Sequence, residues 1–309
     1  MRKRILYIVL FVVVLAAADR LIGWGLNRGL DEYFGLNQRS DVLFVGHSHL
    51  MLAVDKAKFE AGTHTCVSKY CREGVNVNDR YEMVRHFLSL PNSGSLKVVF
   101  YGVDQFMFND SGLSQNSYKL FYPFMDNPGI DGYVRQSTGR YDYWLHKALC
   151  STRYSDALIN SSIRGWRHDW SNYKVGMLDT LALMRQIERG EQRHIRFEKE
   201  MVDQFESTLD LLMAHGIVTV LVNTPIAKML NEFEPDEYIR ITDYFQSMAK
   251  DSDLILYWDL NPGFSDRYSL FFDPIHLNVE GQKVINEELI DRYNKTFGSD
   301  DICNHSALQ

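Results

Sequence analysis

Short apolar runs alternate with amphipathic segments along most of the chain. Runs rich in β-branched and aromatic residues lie at 41–46, 63–70, 96–104, 217–226 and 254–260. Continuous apolar runs of this length are typical of strands that are buried on both faces of a parallel sheet, and the run at 63–70 is a weaker one. Apolar residues recur at helical spacing over 78–90, 196–215, 236–251 and 279–297. Strands that alternate with helices predict an α/β domain with a mostly parallel sheet.

Local signals mark the ends of these helices and one interruption of the pattern. Asn78 is predicted to cap the first helix, and Gly216 is predicted to end the second. Residues 105–195 break the alternation, because they are rich in Tyr, Trp, Asn and Ser and show few clean periods. We interpret them as an insertion after the third strand of a domain that spans 38–298, with a C-terminal tail at 299–309.

The N-terminus carries a different pattern. The basic start MRKR precedes an uncharged apolar run at 5–18, and after Asp19 and Arg20 the apolar character resumes with LIGWGL. The basic flank and the short run fit a signal peptide, and the alanines at its end could form a cleavage site. The resumption extends the segment to about a membrane thickness, so we favour an uncleaved anchor over 1–26. A buried core helix is the third interpretation. The first two place the following domain outside the cytoplasm, because the basic start stays inside.

Charge and cysteine content exclude some classes of function. The formal net charge is -7 and the pI is near 5.8, so the chain is not built to neutralise phosphates and nucleic-acid binding is excluded as a main role. The four cysteines fit no zinc-site spacing. Cys66 and Cys71 could pair in an oxidising compartment, or they could be two unrelated small core residues.

Polar residues that follow the predicted strands mark the candidate site, because reactive groups gather at the carboxyl ends of strands in an open α/β sheet. The stretch GHSH puts His47, Ser48 and His49 after the first strand, Asp104 follows the third, and Asn223 ends the fourth. Ser48 could be a nucleophile on a tight turn, the two histidines could bind a metal ion, or the stretch could be an ordinary polar turn. The three interpretations require different partners elsewhere in the chain.

A partner for Ser48 stands near the C-terminus, in the stretch DPIHLNVEG. Asp273 and His276 lie three residues apart just before a predicted helix. A serine hydroxyl becomes nucleophilic when a base takes its proton, and that base must be held in one tautomer by an acceptor on its other nitrogen. Asp273 and His276 could supply both roles, so the sequence predicts a Ser48–His276–Asp273 triad.

These two blocks resemble those of the SGNH (GDSL-like) hydrolase superfamily, and most closely its membrane-anchored, envelope-facing branch. The C-terminal block matches well, including Leu277, Asn278 and Gly281, whereas GHSH stands where the family typically has GDS. The resemblance covers roughly 41–104 and 217–290. It implies a three-layer, flavodoxin-like parallel sheet in the order 2-1-3-4-5, and a cofactor-free serine esterase or O-acyltransferase. An extracytoplasmic location suggests an ester-bearing cell-envelope glycan or a similar surface polymer as substrate.

The resemblance also implies an oxyanion hole, and here the chain departs from the family. Gly74 is the candidate for the glycine donor, and Asn76 or Asn78 could assist it. The family's asparagine after the third strand is missing, and Asp104 stands in the stretch GVDQF instead. A carboxylate there would repel a developing oxyanion, so either Asp104 points elsewhere or the hole uses backbone N–H groups and another side chain.

Two rival functions stay open. His-x-His after a first strand is also how metal-dependent amidohydrolases begin, so a metal-dependent hydrolase using His47 and His49 is one alternative. A catalytically inactive assembly or binding protein of the cell envelope is the other. In the serine interpretation the site holds no metal, and His47 and His49 either support the triad from behind or lie at the surface. Acyl transfer would further require a membrane partner that supplies acyl donors, which the sequence does not identify.

Overall fold

The computed structural model describes residues 2–109 and 116–298, and its centre is a five-stranded parallel sheet. The strand order is β2-β1-β3-β4-β5, and every neighbouring pair is parallel. This is the flavodoxin-like order that was predicted. The strands of the sheet and of a small antiparallel pair, β6-β7, are β1 Val42–Gly46, β2 Val67–Cys71, β3 Val98–Val103, β4 Val218–Asn223, β5 Ile255–Asp259, β6 Phe271–Asp273 and β7 His276–Leu277.

Helices follow most of these strands. Those in the described residues are α1 Arg2–Phe34, α2 Ser48–Ala53, α3 Lys56–Thr63, α4 Val77–Leu88, α5 Pro128–Ser137, α6 Arg140–Ala148, α7 Asp156–Trp166, α8 Thr180–Glu188, α9 Lys199–Ala214, α10 Lys228–Asn231, α11 Pro235–Asp251 and α12 Val279–Phe297. Short 3-10 helices cover Pro91–Ser95, Ser117–Phe124, Cys150–Arg153 and Tyr268–Leu270.

Alternate side chains of the central strand β3 show why the sheet is covered on both faces. The ring of Phe100 packs against Phe44 of β1 and Tyr293 of α12. The next residue, Tyr101, points to the opposite face and packs against Phe205 of α9, which in turn contacts Phe245 of α11. Successive strand side chains alternate in direction, so the continuous apolar runs supply two cores and the domain has three layers.

The chain divides into two compact units. The first unit comprises Met1–Asn37 and Gln115–Asp169, and the second comprises Gln38–Ser114 and Trp170–Gln309. The second unit contains the sheet and both blocks of the candidate site. The segment 105–195, which we interpreted as one insertion, is therefore shared by the two units. The predicted tail at 299–309 lies outside the described residues.

In the first unit, α1 packs closely against α7. A side chain on Gly165 would come within 1.8 Å of Gly29 O, so the two helix backbones approach more closely than any larger residue would allow. Trp166 Nε1 donates to Gly25 O at 2.9 Å. The preceding part of α1 leaves the side chains of Ile5 to Leu15 exposed. By length and composition α1 is sufficient for a membrane anchor or a signal sequence.

The structure corrects the predicted N-cap of α4 and answers whether Cys66 and Cys71 pair. The fourth helix begins at Val77 with Asn76 as its N-cap, not with Asn78, because Asn76 Oδ1 accepts from Asp79 N and the Asp79 carboxylate accepts from Asn76 N. This reciprocal pair satisfies two backbone donors at once. Cys66 and Cys71 are both free thiols, one exposed and one buried, so the structure has no bond between them.

Candidate active site

The nucleophile candidate lies on a tight strand-to-helix turn. Strand β1 ends at Gly46, and α2 starts two residues later at Ser48 with His47 as its N-cap. A side chain on Gly46 or on Gly102 of the neighbouring β3 would come within 3.0 Å of Leu50 Cβ. The two glycines therefore let α2 lie close over the edge of the sheet, and this presents the Ser48 side chain, half-buried, at the carboxyl end of β1.

The base and its orienting acid lie in the β6-β7 hairpin. Asp273 Oδ1 accepts from the backbone N–H groups of Ile275 at 3.0 Å and His276 at 2.9 Å, which closes a local turn. Asp273 Oδ2 lies 2.7 Å from His276 Nδ1. His276 Nε2 lies 2.7 Å from Ser48 Oγ, although the two residues are 228 positions apart in sequence. The partners assign the proton to Nδ1 and leave Nε2 to accept from the serine hydroxyl.

The residues after His276 hold this hairpin in place. Asn278 caps α12 through Gly281 N at 3.0 Å, and its amide donates to Ser269 O at 2.8 Å and Phe271 O at 3.2 Å. A side chain on Gly281 would come within 2.1 Å of Leu270 O. In the C-terminal block, Leu277, Asn278 and Gly281 therefore fix the approach of α12 to the loop that carries His276.

The ionisation of Asp273 suits the role of orienting acid. Burial raises the pKa of this carboxyl, but the hydrogen bonds from His276 and the backbone N–H of Ile275 together outweigh it, so the pKa is lowered from the usual value. The side chains of His276 and Asp273 are 17% and 34% exposed, so a substrate can reach the triad. Asp273 is therefore an anion at neutral pH and can stabilise a positive charge on His276.

Beside the triad lies a second pair, His47 and Asp104, which is almost fully buried. Asp104 Oδ2 is hydrogen-bonded to His47 Nε2, and Asp104 Oδ1 accepts from Phe106 N at 2.7 Å. His47 Nδ1 accepts from His49 N at 3.1 Å, so the imidazole carries its proton on Nε2. Both carboxylate oxygens of Asp104 are occupied by donors. The pair therefore joins the end of β3 to the turn that carries Ser48.

The charges of this pair follow from burial and from each other. Burial lowers the pKa of His47 more than the Asp104 carboxylate raises it, so the imidazole is neutral at pH 7. Burial raises the pKa of Asp104, but the interactions with His47 and His49 and the positive charge of Arg80 outweigh it, and the pKa is lowered overall. A neutral His47 that donates to an anionic Asp104 agrees with the hydrogen bonds.

His49 is buried between the pair and the triad. Its ring contacts the rings of His47 and His276, with centroids 4.2 Å and 5.4 Å apart. Burial lowers its pKa well below the usual value. Its Nδ1 is a buried atom with no hydrogen-bond partner within the described residues. The sequence predicts that His47 and His49 lie around the triad or at the surface, and the structure buries both.

Three of these side chains could hold a metal ion. One ligand atom from each of His47, His49 and Asp104 lies within 4.8 Å of the others. Two imidazoles and one carboxylate form a donor set that zinc uses in catalytic sites, with a water molecule in the fourth position. The chemistry of the set fits such an ion, but the present hydrogen bond between His47 and Asp104 would have to open to admit it.

Of the predicted donors to the oxyanion, some remain available and others are engaged elsewhere. Arg72 N donates to Gly46 O at 3.1 Å, which extends the β1-β2 pairing beyond Cys71 towards the turn that contains Gly74. Gly74 has a φ of 80°, which favours glycine. The Asn76 side chain instead caps α4, and Asn78 lies in the first turn of that helix. Ser48 N, in the first turn of α2, has no acceptor within its own helix, so it and the Gly74 backbone stay candidates.

Asn223 is not brought to the triad by any hydrogen bond of its side chain. Its amide donates to Tyr257 Oη at 3.1 Å and to Asp259 Oδ1 at 3.2 Å, which joins the ends of β4 and β5. The Asp104 carboxylate likewise cannot donate a hydrogen bond to an oxyanion when it is ionised, and both its oxygens already accept hydrogen bonds.

Arg80 is a residue of this region that the sequence analysis missed. It is fully buried, its Nη1 donates to Gly102 O at 2.7 Å, and its guanidinium lies over the ring of Tyr101. The signal was a charged residue three, four and seven positions before the apolar residues Met83, Val84 and Phe87, hence on the buried face of α4. Its positive charge helps to keep Asp104 ionised.

Buried histidines predict that the protein loses stability in mild acid. Burial lowers the pKa of His86 from 6.5 to about 4, so below pH 6.5 the unfolded chain binds a proton that the folded chain does not. Stability should be full above pH 6.5 and fall between pH 6.5 and 4, by at most about 1.4 kcal/mol per pH unit for each such histidine. His86→Gln should reduce the dependence of the unfolding free energy on pH, as measured by denaturant unfolding at several pH values. The exposed His215→Gln is the control, and an unchanged slope in His86→Gln would contradict the prediction.

Comparisons with known proteins add little to this picture. No protein-family model and no curated protein matches the sequence. Among solved structures, a chain from Streptococcus pneumonia provisionally described as a platelet activating factor is 11% identical, with a TM-score of 0.36; the alignment covers 91% of this chain and 98% of that chain. A Bacteroides fragilis chain provisionally described as an acylhydrolase is 13% identical, with a TM-score of 0.39 and coverage of 84% and 91%. Similarity this low carries no argument about function, which must come from the site itself.

Proposed function

We propose that the protein is a serine-dependent acyl-ester hydrolase or O-acyltransferase of the SGNH type. The observation that carries this proposal is the continuous hydrogen-bonded chain from Ser48 Oγ through His276 to Asp273, with 2.7 Å at each step. A hydroxyl, an imidazole and an anionic carboxylate in this order are the arrangement that activates a serine. The three side chains of this triad are half-buried, so a substrate can reach them.

The proposed chemistry proceeds in two steps. Ser48 Oγ attacks the acyl carbon while His276 Nε2 takes its proton, and Asp273 stabilises the imidazolium. The backbone N–H groups of Ser48 and Gly74 are the proposed donors to the oxyanion. His276 then gives its proton to the leaving alkoxide, which leaves an acyl-serine. Water or a sugar hydroxyl, deprotonated by His276, attacks the acyl-serine and regenerates Ser48.

The substrate we propose is an acylated cell-envelope glycan or a similar surface polymer. This rests on α1, which we take as a membrane anchor with the second unit on the extracytoplasmic side because basic residues precede the apolar run. The direct test of the chemistry is labelling of the full chain with a fluorophosphonate serine probe, with and without Ser48. Failure of the unmodified protein to label would favour the inactive assembly protein or the metal-dependent hydrolase instead.

The group formed by His47, His49 and Asp104 keeps a metal-dependent hydrolase as the second candidate function. The serine proposal expects hydrolysis of an activated acetyl ester to survive a strong chelator, because no step passes through an ion. Loss of activity on chelation, restored by added zinc, would show that the protein is a metal-dependent hydrolase. His49→Gln separates the two further, because it removes one ligand while it leaves all three triad side chains in place.

A further inference from the structure

A polar cavity of about 290 Å³ lies within the first unit, against the part of α1 that follows the apolar run. Three arginines line it, Arg20 and Arg28 from α1 and Arg153 from the 3-10 helix before α7, together with Asn27 and the exposed Trp24. Two carboxylates, Asp31 and Asp126, also line it. The lining therefore has an excess of one positive charge when its three arginines and two carboxylates are charged.

The arginines differ in how their charges are balanced. Arg153 Nη1 lies 3.3 Å from Asp126, and Arg28 lies 3.0 Å from Glu32. Arg20 donates to Cys150 Sγ at 2.9 Å, and it lies within ion-pair distance of no carboxylate in 2–109 and 116–298. A thiol is a weak acceptor, so the guanidinium of Arg20 is the least neutralised charge in the cavity.

The neighbouring acid cannot easily neutralise Arg20. Asp19 accepts from Cys150 N and Ser151 N at 2.8 Å and from Ser151 Oγ at 2.6 Å, so its carboxylate is directed at that backbone. Asn27 contributes a second unmatched group, because its Oδ1 is a buried atom without a hydrogen-bond partner among the described residues. The cavity thus offers a cationic donor and, two turns further along the same helix, an acceptor for a hydroxyl.

The position of the cavity along α1 indicates where its ligand would come from. The uninterrupted run of exposed apolar side chains ends just before Asp19, the lining residues on α1 begin at Arg20, and exposed Leu21, Ile22 and Trp24 follow. Guanidinium groups bind phosphate with bidentate hydrogen bonds.

We propose that this cavity binds the headgroup of an anionic, hydroxyl-bearing phospholipid such as phosphatidylglycerol. Arg20 binds the phosphate, and Asn27 Oδ1 accepts from a headgroup hydroxyl. The proposal rests on the proposed anchoring by α1, and it is independent of the serine chemistry, because every lining residue belongs to the first unit. Basic pockets at the membrane surface are suited to such headgroups.

The test uses the full chain in nanodiscs of phosphatidylcholine with or without phosphatidylglycerol. Native mass spectrometry should show retained phosphatidylglycerol, and thermal unfolding should shift upwards with its mole fraction. Arg20→Gln should weaken retention by roughly tenfold, as expected when a charge-assisted hydrogen bond is lost. Arg167→Gln, an exposed arginine of the same unit, is the matched control and should behave as the unmodified chain does.

Several results would overturn the proposal. Equal retention by Arg20→Gln and the unmodified chain, or equal retention of the two lipids, would show that the cavity is not a headgroup site. An equal stabilisation by inorganic phosphate in phosphatidylcholine nanodiscs would assign the site to a soluble anion instead of a lipid. A flotation assay separates these outcomes from failure of the anchor, because a chain without an anchor would leave the membrane fraction whatever its lipid preference.

Discussion

Ser48→Ala is expected to abolish fluorophosphonate labelling and to lower the rate of acetyl-ester hydrolysis by roughly 10⁴-fold or more. The physical reason is the loss of the only oxygen that His276 Nε2 can activate in the hydrogen-bonded chain described above. His276→Ala should lower the rate by a similar factor, because Ser48 and His276 act as one unit and their effects are not additive. Fold is monitored by circular dichroism in each variant.

Asp273→Asn gives the sharper test of the same arrangement. Its side chain keeps the size of Asp273, but it lacks the charge that stabilises a protonated His276, and its amide can favour the wrong tautomer. We expect labelling to slow strongly while the protein stays folded. Undiminished labelling of Ser48→Ala would place the reactive serine elsewhere, and equal rates for Asp273→Asn and the unmodified chain would remove Asp273 from the triad.

Asp104→Ala is expected to have the second-largest effect, on both stability and rate. It leaves the buried His47 Nε2–H and the Phe106 N–H without their acceptor, and one unsatisfied buried donor typically costs about 1–3 kcal/mol. The turn that carries Ser48 also loses its connection to β3, so we expect hydrolysis to fall by roughly 10- to 100-fold through misplacement of the nucleophile. Denaturant unfolding and single-turnover acylation measure the two effects.

Asp104→Asn separates position from charge. Its carbonyl oxygen can still accept from His47, so we expect a folded protein that keeps ester cleavage at a moderately reduced rate. A rise in rate would instead mean that Asp104 faces the oxyanion, because the substitution exchanges a repelling group for a donor. A fall in acyl transfer alone, with hydrolysis unchanged, would mean that Asp104 positions the acceptor hydroxyl.

Asp41→Ala is the matched control for these variants. Asp41 is also a buried carboxylate, but it lies before β1 and accepts from Cys66 N at 3.1 Å, at the opposite end of the sheet from Ser48. Its removal should reduce stability without a specific loss of acylation rate per folded molecule.

If Asp104→Asn unfolds the protein, Asp104 is a purely structural carboxylate, and a positioning role is excluded.

The sequence by itself determined the features that depend on neighbouring residues. Continuous apolar runs specified β1, β3 and β4, which are buried on both faces, and the alternation of strands with helices specified the parallel sheet. The spacing of Asp273 and His276 specified their contact, since three residues are enough to close the turn that joins them. The cap of α4 is also local, but the prediction of Asn78 is wrong, because the decisive signal is Asp79 three positions after Asn76.

The tertiary structure decided the contacts between residues that are distant in sequence. Ser48 and His276 meet only because α2, which begins at Ser48, packs against β7 and α12. The contact of His47 with Asp104, and the burial of His49 and Arg80, depend on how β1, β3 and α4 pack, which no local pattern encodes. Local propensity acts over a few residues, whereas the charge and hydrogen-bonding of a buried side chain depend on every element that packs around it.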